Sequence, residues 1–447
     1  MIRAAAETEP YLSAFAERGR DRGAEEPAWL GALRRESIER FESLGLPTGR
    51  EEAWRQTPVG PVAGSPFRLA PARPAPEAAG LLASARLAFP GKVRLVLVDG
   101  RFAPALSALP SRDAGYFAGP LAAALREIPE ALEARLGRIG SSESRPFLAM
   151  NAAFFEDAAV ARIPAGVAVE EPIHVVHLSA GRAETEMTCS RTLIVADPGS
   201  RATIVETFLS SDGGAGLTSA AAEAEIGDGA ALEHLRVQAE GAAAVHLGSL
   251  DARLGAGARF ASHALSLGAR WARIEVGATL AAAGAECTLH GLYLADGARH
   301  VDHRTSLDHA VADGASRQLY KGILGGTARA VFNGRIHVRQ DAQGTNAFQS
   351  NRNLLLSRDA LVFTRPQLEI YANDVKCTHG ATVGQLDPEA FFYLRSRGLG
   401  PEAARQLLIR AFIGEVLERI PLEAVRERLE DEIASRLPAE SGPEGVA

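Results

Sequence analysis

The sequence predicts a mainly β protein in which a solenoid of stacked β coils lies between an N-terminal helical or mixed region and C-terminal helices. From about residue 147 onwards, short β-rich runs alternate with glycine-containing turns. The final glycines of successive turns lie roughly 27–30 residues apart, a period that indicates a repeat architecture. This unit is too short for a βαβ crossover, and the runs between turns lack helical periodicity. Stacked β coils are therefore the favoured interpretation.

The repeated turns mark the predicted coils one by one. They are Asp197-Pro198-Gly199, Gly227-Asp228-Gly229, Gly255-Ala256-Gly257, Ala283-Gly284, Ala312-Asp313-Gly314 and Ala342-Gln343-Gly344. In such a stack each coil hydrogen-bonds to its neighbours and buries its inward residues in a continuous column. About six or seven coils, at about 4.8 Å each, would make a rod roughly 30 Å long.

Residues 1–145 are predicted to form a helical and mixed α/β region that contains a proline-rich linker. Apolar residues recur at helical spacing in Pro27–Leu44, and Gly45 fits a C-cap. Pro10–Arg20 is a second, shorter helix candidate. Prolines crowd together in residues 59–76, which predicts a linker or an extended segment that wraps around the molecule.

Two further elements are predicted before the solenoid. Val93–Val98 is rich in β-formers and ends in Asp99-Gly100, a pair that signals a hairpin turn. The stretch Leu121–Leu136 predicts a helix. These elements make the N-terminal region a mixed one, loosely joined to the coils that follow.

The chain after the coils predicts a C-terminal helical domain. Asp387 is a good N-cap, and Pro388 suits the first helical position after it. Pro401 opens a second helix, and Pro421 separates a third. The predicted domains are thus the N-terminal region 1–145, the solenoid core 146–385, the helical domain 386–437 and a disordered tail 438–447.

Composition excludes some classes of protein. A net charge of −7 over 447 residues argues against a dedicated nucleic-acid binder, which would carry a basic excess. The N-terminus lacks the apolar segment of a signal peptide, and no stretch reaches about 18 uninterrupted apolar residues. We therefore expect a cytoplasmic protein without a membrane span. A phosphate-binding Walker loop, a GxSxG elbow and an HExxH zinc motif are all missing.

The stretch Tyr371–Gly398 is the leading candidate for a functional site. Its first part, up to Gly380, predicts the last strand of the β region, and helix follows Asp387. In a strand, residues i and i+2 point to the same face, so Cys377 and His379 can face one object. The last coil of a solenoid also exposes unpaired backbone groups that invite another strand. We predict that this pair works at an interface with another protein chain.

The spacing of the three cysteines limits what they can do. They are odd in number and far apart, which fits neither a disulfide framework nor a CxxC metal site. Cys189, Cys287 and Cys377 are separated by about three coils each, or roughly 14 Å along the rod. One metal centre cannot bridge that distance. We expect Cys189 and Cys287 to be small buried residues, and for Cys377 beside a hydrogen-bonded His379 the same interpretation stays open.

A second polar cluster runs through His300, Asp302, His303, Asp308 and His309. Imidazoles interleaved with carboxylates can bind metal or relay protons, but on strands and turns they more often form a polar ladder on a wet face. Three arginines of the C-terminal helices could meet an acidic partner or simply lie on a solvated helix face. They are Arg395, Arg397 and Arg405.

Several long segments resemble one family. They are Ser316–Leu324, Ala347–Ser357 and Asp374–Gly384 within Thr305–Arg397, then Phe391–Gly398, and near the N-terminus Leu46–Thr48 and Glu52–Trp54. Together they are similar to the SufB/SufD family of the Suf iron–sulfur cluster assembly system, and the resemblance covers essentially the whole chain. The Lys-Cys-Thr-His-Gly sequence around Cys377 favours the SufD branch, although Thr378 stands where serine is frequent.

The resemblance implies a fold and a set of partners. It implies a right-handed parallel β-helix, a heterodimer with a SufB-like paralogue, and C-terminal helices that dock a SufC-like ABC-type ATPase. His379 matches the family's functional histidine at the interface, with Cys377 beside it. Under this interpretation the chain is no enzyme, and a transient cluster or iron is shared with the partner rather than held permanently by this chain alone. A homodimer is possible without the paralogue.

Residues expected to contribute to ATPase docking lie on the first two C-terminal helices. They are Phe391, Leu394, Arg395, Leu407, Phe412 and Leu417. Two other interpretations stay open: a carbohydrate-active β-helix enzyme, which would need acidic residues on one exposed face, and a stand-alone metal-binding protein. Aromatic residues are scarce and no acid pair stands out.

Overall fold

The computed structural model describes residues 2–21, 26–64, 66–72, 75–89, 91–181, 183–211 and 213–436. The predicted tail 438–447 lies outside the described residues. The helices are α1 Ile2–Asp21, α2 Ala28–Leu44, α3 Gly60–Ala63, α4 Ala75–Ser84, α5 Leu121–Glu127, α6 Pro129–Arg135, α7 Pro146–Phe154, α8 Pro388–Ser396, α9 Pro401–Leu417 and α10 Glu423–Arg436. Short 3₁₀ helices lie at Glu52–Trp54 and Pro104–Leu106.

The strands outnumber the helices in the described part of the chain. They are β1 Arg68–Leu69, β2 Val93–Val98, β3 Arg101–Phe102, β4 Phe117–Pro120, β5 Ala158–Ile163, β6 Ile173–Ser179, β7 Glu186–Ala196, β8 Arg201–Ser210, β9 Leu217–Ile226, β10 Ala231–Gln238, β11 Val245–Leu254, β12 Arg259–Ser266, β13 Trp271–Leu280, β14 Glu286–Ala295, β15 His300–His309, β16 Ala315–Leu324, β17 Arg329–Val338, β18 Thr345–Leu355, β19 Leu361–Ile370 and β20 Val375–Gly384.

From β5 to β20 the strands form a parallel β-solenoid. The odd-numbered strands stack in one sheet, the first sheet, and the even-numbered strands in a second sheet. Pairing between successive turns is parallel and in register, as where Ala231 of β10 meets Arg259 of β12. The structure thus confirms the predicted solenoid, in which each strand hydrogen-bonds to the strand one repeat away.

The solenoid has eight turns rather than six or seven, because each sheet holds eight of these strands. The six glycine-containing turns predicted from the sequence connect β7 to β8 and so on up to β17 to β18. The two turns that the sequence pattern missed lie at the ends. One contains Gly166, and the other, between β19 and β20, contains no glycine.

Most of the repeated turns place their last glycine in the left-handed region, which residues with a side chain rarely adopt. Gly199, Gly229, Gly257, Gly284 and Gly344 have φ between 59° and 75°. In the turn before β16 the left-handed residue is instead the aspartate before the glycine, with a φ of 61°. Aspartate tolerates this conformation because its short side chain can hydrogen-bond locally.

The N-terminal region extends and covers the first turns. The predicted helices appear as α1 and α2, and the predicted hairpin joins β2 to β3 through Asp99 and Gly100, both with positive φ. The proline-rich stretch wraps as expected, since β1 pairs with β7. The single helix predicted over Leu121–Leu136 is wrong. The chain breaks at Ile128, because Pro129 lacks an N–H and starts a new helix, α6.

The C-terminal helices lie against the outer face of the second sheet. Asp387 caps α8 as predicted, since its carboxylate accepts hydrogen bonds from the backbone N–H groups of Glu389 and Ala390. Ile409 and Ile413 of α9 pack in the same apolar cluster as outward residues of the sheet. Among the described residues, no helix is long and apolar enough to cross a membrane.

The predicted domain boundaries stay a prediction. Strands β2 and β4 belong to the predicted N-terminal region, yet they extend the second and the first sheet of the solenoid.

Candidate functional site at the end of the solenoid

The candidate site lies on the last turn of the solenoid. Strand β20 pairs with β18, and no further strand of the described chain pairs with its other edge. In this register Cys377 lies opposite Ala347, and His379 opposite Gln349. The side chains of Cys377 and His379 therefore project from the same face of the strand, as the sequence predicts.

The two side chains differ in exposure. Cys377 is half-buried and packs against the solenoid core, whereas His379 is exposed. Burial raises the pKa of the Cys377 thiol, and a hydrogen bond with the backbone of Ala347 opposes that shift. The imidazole is thus open to solvent, while the thiol lies just behind it at the edge of the core.

Apolar side chains are exposed on several faces of the last two turns. They form a set that we call the end patch: Phe348, Leu361, Phe363, Ile370, Tyr371 and Val383. Each is more than a third exposed, and Tyr371 reaches 63%. Exposed apolar residues next to unpaired strand edges are typical of a surface that another protein covers.

The other two cysteines are buried, as predicted. Cys189 is 2% exposed and Cys287 is 1% exposed. Cys287 stands in the same column as Cys377, three strands earlier, and burial raises the pKa of its thiol. Within the part of the chain that the structure describes, no three His, Cys, Asp or Glu side chains are grouped closely enough to hold a metal ion.

The histidine cluster of β15 does not form a ladder on a wet face, so that expectation is wrong. His303 and His309 are 0% exposed, and each has Nε2 2.8 Å from a serine hydroxyl, that of Ser266 and Ser316 respectively. His300 is stacked on Trp271. Burial lowers the pKa of all three imidazoles to about 4, so they are neutral at pH 7.

The residues predicted for ATPase docking are spread over two environments. Arg395 and Leu407 are exposed, whereas the remaining four are partly or fully buried: Phe391, Leu394, Phe412 and Leu417. Leu417 is 1% exposed and packs in the apolar cluster under α9. In this conformation a partner could reach the first residues of the set but not Leu417.

Sequence reasoning missed the two most exposed aromatic residues of the C-terminal helices. Phe392 is 73% exposed and Tyr393 is 61% exposed. Both belong to the Phe391–Gly398 segment, which resembles the SufB/SufD family. A helical projection of α8 could have found them, because neighbouring helix positions point in different directions.

The fold and this site define a parallel β-solenoid protein with N-terminal and C-terminal helices and an open last turn that presents a thiol and an imidazole. Residues 177–412 match the family model described as SUF system FeS cluster assembly, SufBD core domain. Residues 5–175 match the model of the SufBD protein N-terminal region. The chain therefore belongs to the SufBD family, as the resemblance in its sequence indicates.

The chain is similar to proteins of three organisms. The chain is 32% identical to the iron-sulfur cluster assembly protein SufD of Escherichia coli, over 90% of this chain and 92% of the relative. It is 32% identical to an iron-sulfur cluster assembly SufBD family protein of Synechocystis, over 96% of each. It is 30% identical to the chloroplastic protein ABCI7 of Arabidopsis thaliana, over 76% of this chain and 73% of the relative.

Proposed function

We propose that the chain is a non-catalytic scaffold subunit of an iron–sulfur cluster assembly complex. It pairs with a SufB-like paralogue through the last turn of the solenoid and carries a SufC-like ATPase on its C-terminal helices. Iron or a nascent cluster is the cargo, and this chain contributes His379 and Cys377 to its binding at the shared interface.

One observation carries the proposal: within the described residues the last turn is open, and no strand pairs with the outer edge of β20, beside an exposed imidazole and a half-buried thiol. Two ligands cannot complete a cluster that needs about four. A strand edge and the apolar end patch favour a protein partner, which would bring further ligands to the same place.

The chemistry of the pair fits iron as cargo. Imidazole nitrogen and thiolate sulfur both bind iron, and the thiol must lose its proton to do so. Because burial raises the pKa of Cys377, its thiol is protonated in the chain by itself. A metal ion that reaches His379 first would favour loss of that proton, since a nearby positive charge stabilises the thiolate.

Docking of an ATPase is supported by the exposed side chains of α8. Phe392, Tyr393 and the exposed Arg395 lie on one short helix that contacts α9. Aromatic residues and arginine are the residue types that most often anchor protein interfaces. The sequence lacks a phosphate-binding loop of its own, so nucleotide chemistry would belong to the partner.

Co-purification tests the partners. A tagged chain, expressed together with a SufB-like paralogue and a SufC-like ATPase, is expected to bring both down in a stable complex. Recovery of the chain alone, or as a species that binds iron stoichiometrically without partners, contradicts the scaffold role and favours a stand-alone metal-binding protein.

Substitution tests the site. In the reconstituted complex, His379→Ala is expected to lower iron and cluster loading by about tenfold or more, since losing even a neighbour of a metal ligand costs that much. Thr378→Ala is the matched control, because Thr378 is exposed on the same strand but projects from its other face. Undiminished loading in both His379→Ala and Cys377→Ala would refute the proposed site.

A further inference from the structure

A lysine lies buried between the solenoid and α9. Lys321 is on β16, on the outer face of the second sheet, and is 3% exposed. Its Nζ donates a hydrogen bond to the carbonyl oxygen of Phe412, over 2.7 Å, and lies 2.6 Å from Oε2 of Glu415. The same Nζ is 4.6 Å from the centroid of the Phe412 ring. One turn of α9 is therefore held at three points by a single side chain.

A residue on the next turn of the solenoid, Arg352, binds the same carboxylate. Arg352 of β18 is the Cα partner of Lys321, and its Nη1 lies 3.1 Å from Oε2 of Glu415. We call Lys321, Arg352 and Glu415 the α9 bracket. The next residue in this column is Thr382 of β20, three residues after His379. The bracket thus ends one strand away from the strand that carries the candidate site.

Stability alone does not account for a lysine in this position. Leu319 and Ile323 flank Lys321 on the outer face of β16, and they share an apolar cluster with Ile409 and Ile413 of α9. Burial lowers the pKa of Lys321, and the hydrogen bond and charge of Glu415 oppose that shift. Replacing such an ion pair by apolar residues is often neutral or stabilising, whereas a charged pair fixes one orientation.

The strands beyond the bracket can carry a displacement to the candidate site. Strands β16, β18 and β20 form one continuous parallel ladder. Asn353 of β18 also reaches the backbone of β20, with Nδ2 3.4 Å from the carbonyl oxygen of Thr382. Asn353 is itself held by Asn351 and by the hydroxyl of the buried Tyr293. A shift of β18 would therefore move β20 with it.

We propose that the α9 bracket makes α9 and the last turns of the solenoid move as one body, so that Lys321 and Glu415 are positioning residues for His379. An ATPase that moves α8 and α9 would displace β18 and β20 through these contacts. The inference rests on the proposed function, because it takes the C-terminal helices as the place where the ATPase binds.

The reactivity of the half-buried Cys377 thiol measures this coupling. In the complex of this chain with a SufB-like paralogue and a SufC-like ATPase, the alkylation rate of Cys377 by N-ethylmaleimide is followed with and without MgATP. Peptide mass spectrometry separates Cys377 from thiols of the partners. With the native chain, MgATP is expected to change the rate by about fivefold or more, the usual scale of coupling between sites.

Two variants test the bracket. Lys321→Met and Glu415→Gln are each expected to abolish the MgATP-dependent change, and the double variant to do no more than either alone. Methionine fits the apolar contact, and Glu415 is partly exposed, so neither change should unfold the chain. Arg335→Met is the matched control: it removes an ion pair with Glu369 on the last turns of the first sheet, away from α9.

The outcomes are distinct. Loss of the MgATP effect in both variants, with complex assembly and ATP hydrolysis retained, supports the bracket. A MgATP effect of native size in Lys321→Met overturns it, as does a native complex that hydrolyses ATP without any change at Cys377. Failure of the ATPase to join the native complex refutes the proposed function instead.

Discussion

The two ends of the solenoid are built from the same coil but finished differently. At the N-terminal end every residue of α7, Pro146–Phe154, is buried, and β4 and the β2–β3 hairpin complete the two sheets. At the other end, residues 378–385 are all exposed. Within the described residues the chain therefore covers one end itself and leaves the other open, which is the arrangement that the proposed interface at Cys377 and His379 requires.

The same contrast appears in the ion pairs. Near the covered end Arg191 and Glu223 are each 1% exposed, and Arg191 donates two hydrogen bonds to one oxygen of the carboxylate. Near the open end the side chains of Arg335 and Glu369 are 44% and 35% exposed. These two ion pairs of the same chemical type should therefore contribute very different amounts to the free energy of unfolding.

The largest expected difference is in thiol reactivity. In the native chain without partners, N-ethylmaleimide should modify Cys377 at least about 10³-fold faster than Cys287, because a buried thiol reacts only after the core opens and core opening costs several kcal/mol. Peptide mass spectrometry during alkylation measures both rates. Equal rates would mean that the open end is as well covered as the core.

The next effect compares the two ion pairs. Arg191→Met should cost about 3–5 kcal/mol, because it leaves the buried carboxylate of Glu223 without its countercharge. Arg335→Met should cost only about 0–1 kcal/mol, since solvent screens the exposed pair. Urea denaturation followed by circular dichroism measures both. A cost at Arg335 equal to that at Arg191 would contradict the assignment of the open end.

The smallest effect concerns a buried imidazole between the two ends. Burial lowers the pKa of His303 to about 4 in the folded chain, while an unfolded histidine titrates near 6.5. The unfolded chain thus takes up the proton first, so the stability from neutral His303 is complete above about pH 6.5 and is lost as the pH falls towards 4.

His303→Gln should flatten the loss of stability in this pH window, by about 1.4 kcal/mol for each unit of the shift that it removes. Thermal unfolding from pH 7 to pH 4 measures it. A variant as sensitive to acid as the native chain would show that His303 is not held neutral by burial.

How much the sequence predicts depends on the range of the interactions involved. The glycine turns, the N-cap of α8 and the shared face of Cys377 and His379 follow from local backbone rules, and all are found. The burial of His303 could not be predicted, because β15 carries polar residues on both faces and alternation alone does not tell inward from outward. The break at Pro129 follows from a local rule as well, because a proline disrupts the interior of a helix.

The sequence by itself determined the coil period, the stack of β coils and the thiol and imidazole of the last strand, since these follow from turn residues and strand alternation that recur along the chain. Only the tertiary structure decided which end is covered, which histidines are buried and that Lys321 binds α9. Those outcomes depend on contacts between residues far apart in the chain, as the 91 positions from Lys321 to Phe412 illustrate. No local pattern encodes them, because burial is a property of the assembled layers rather than of any one segment.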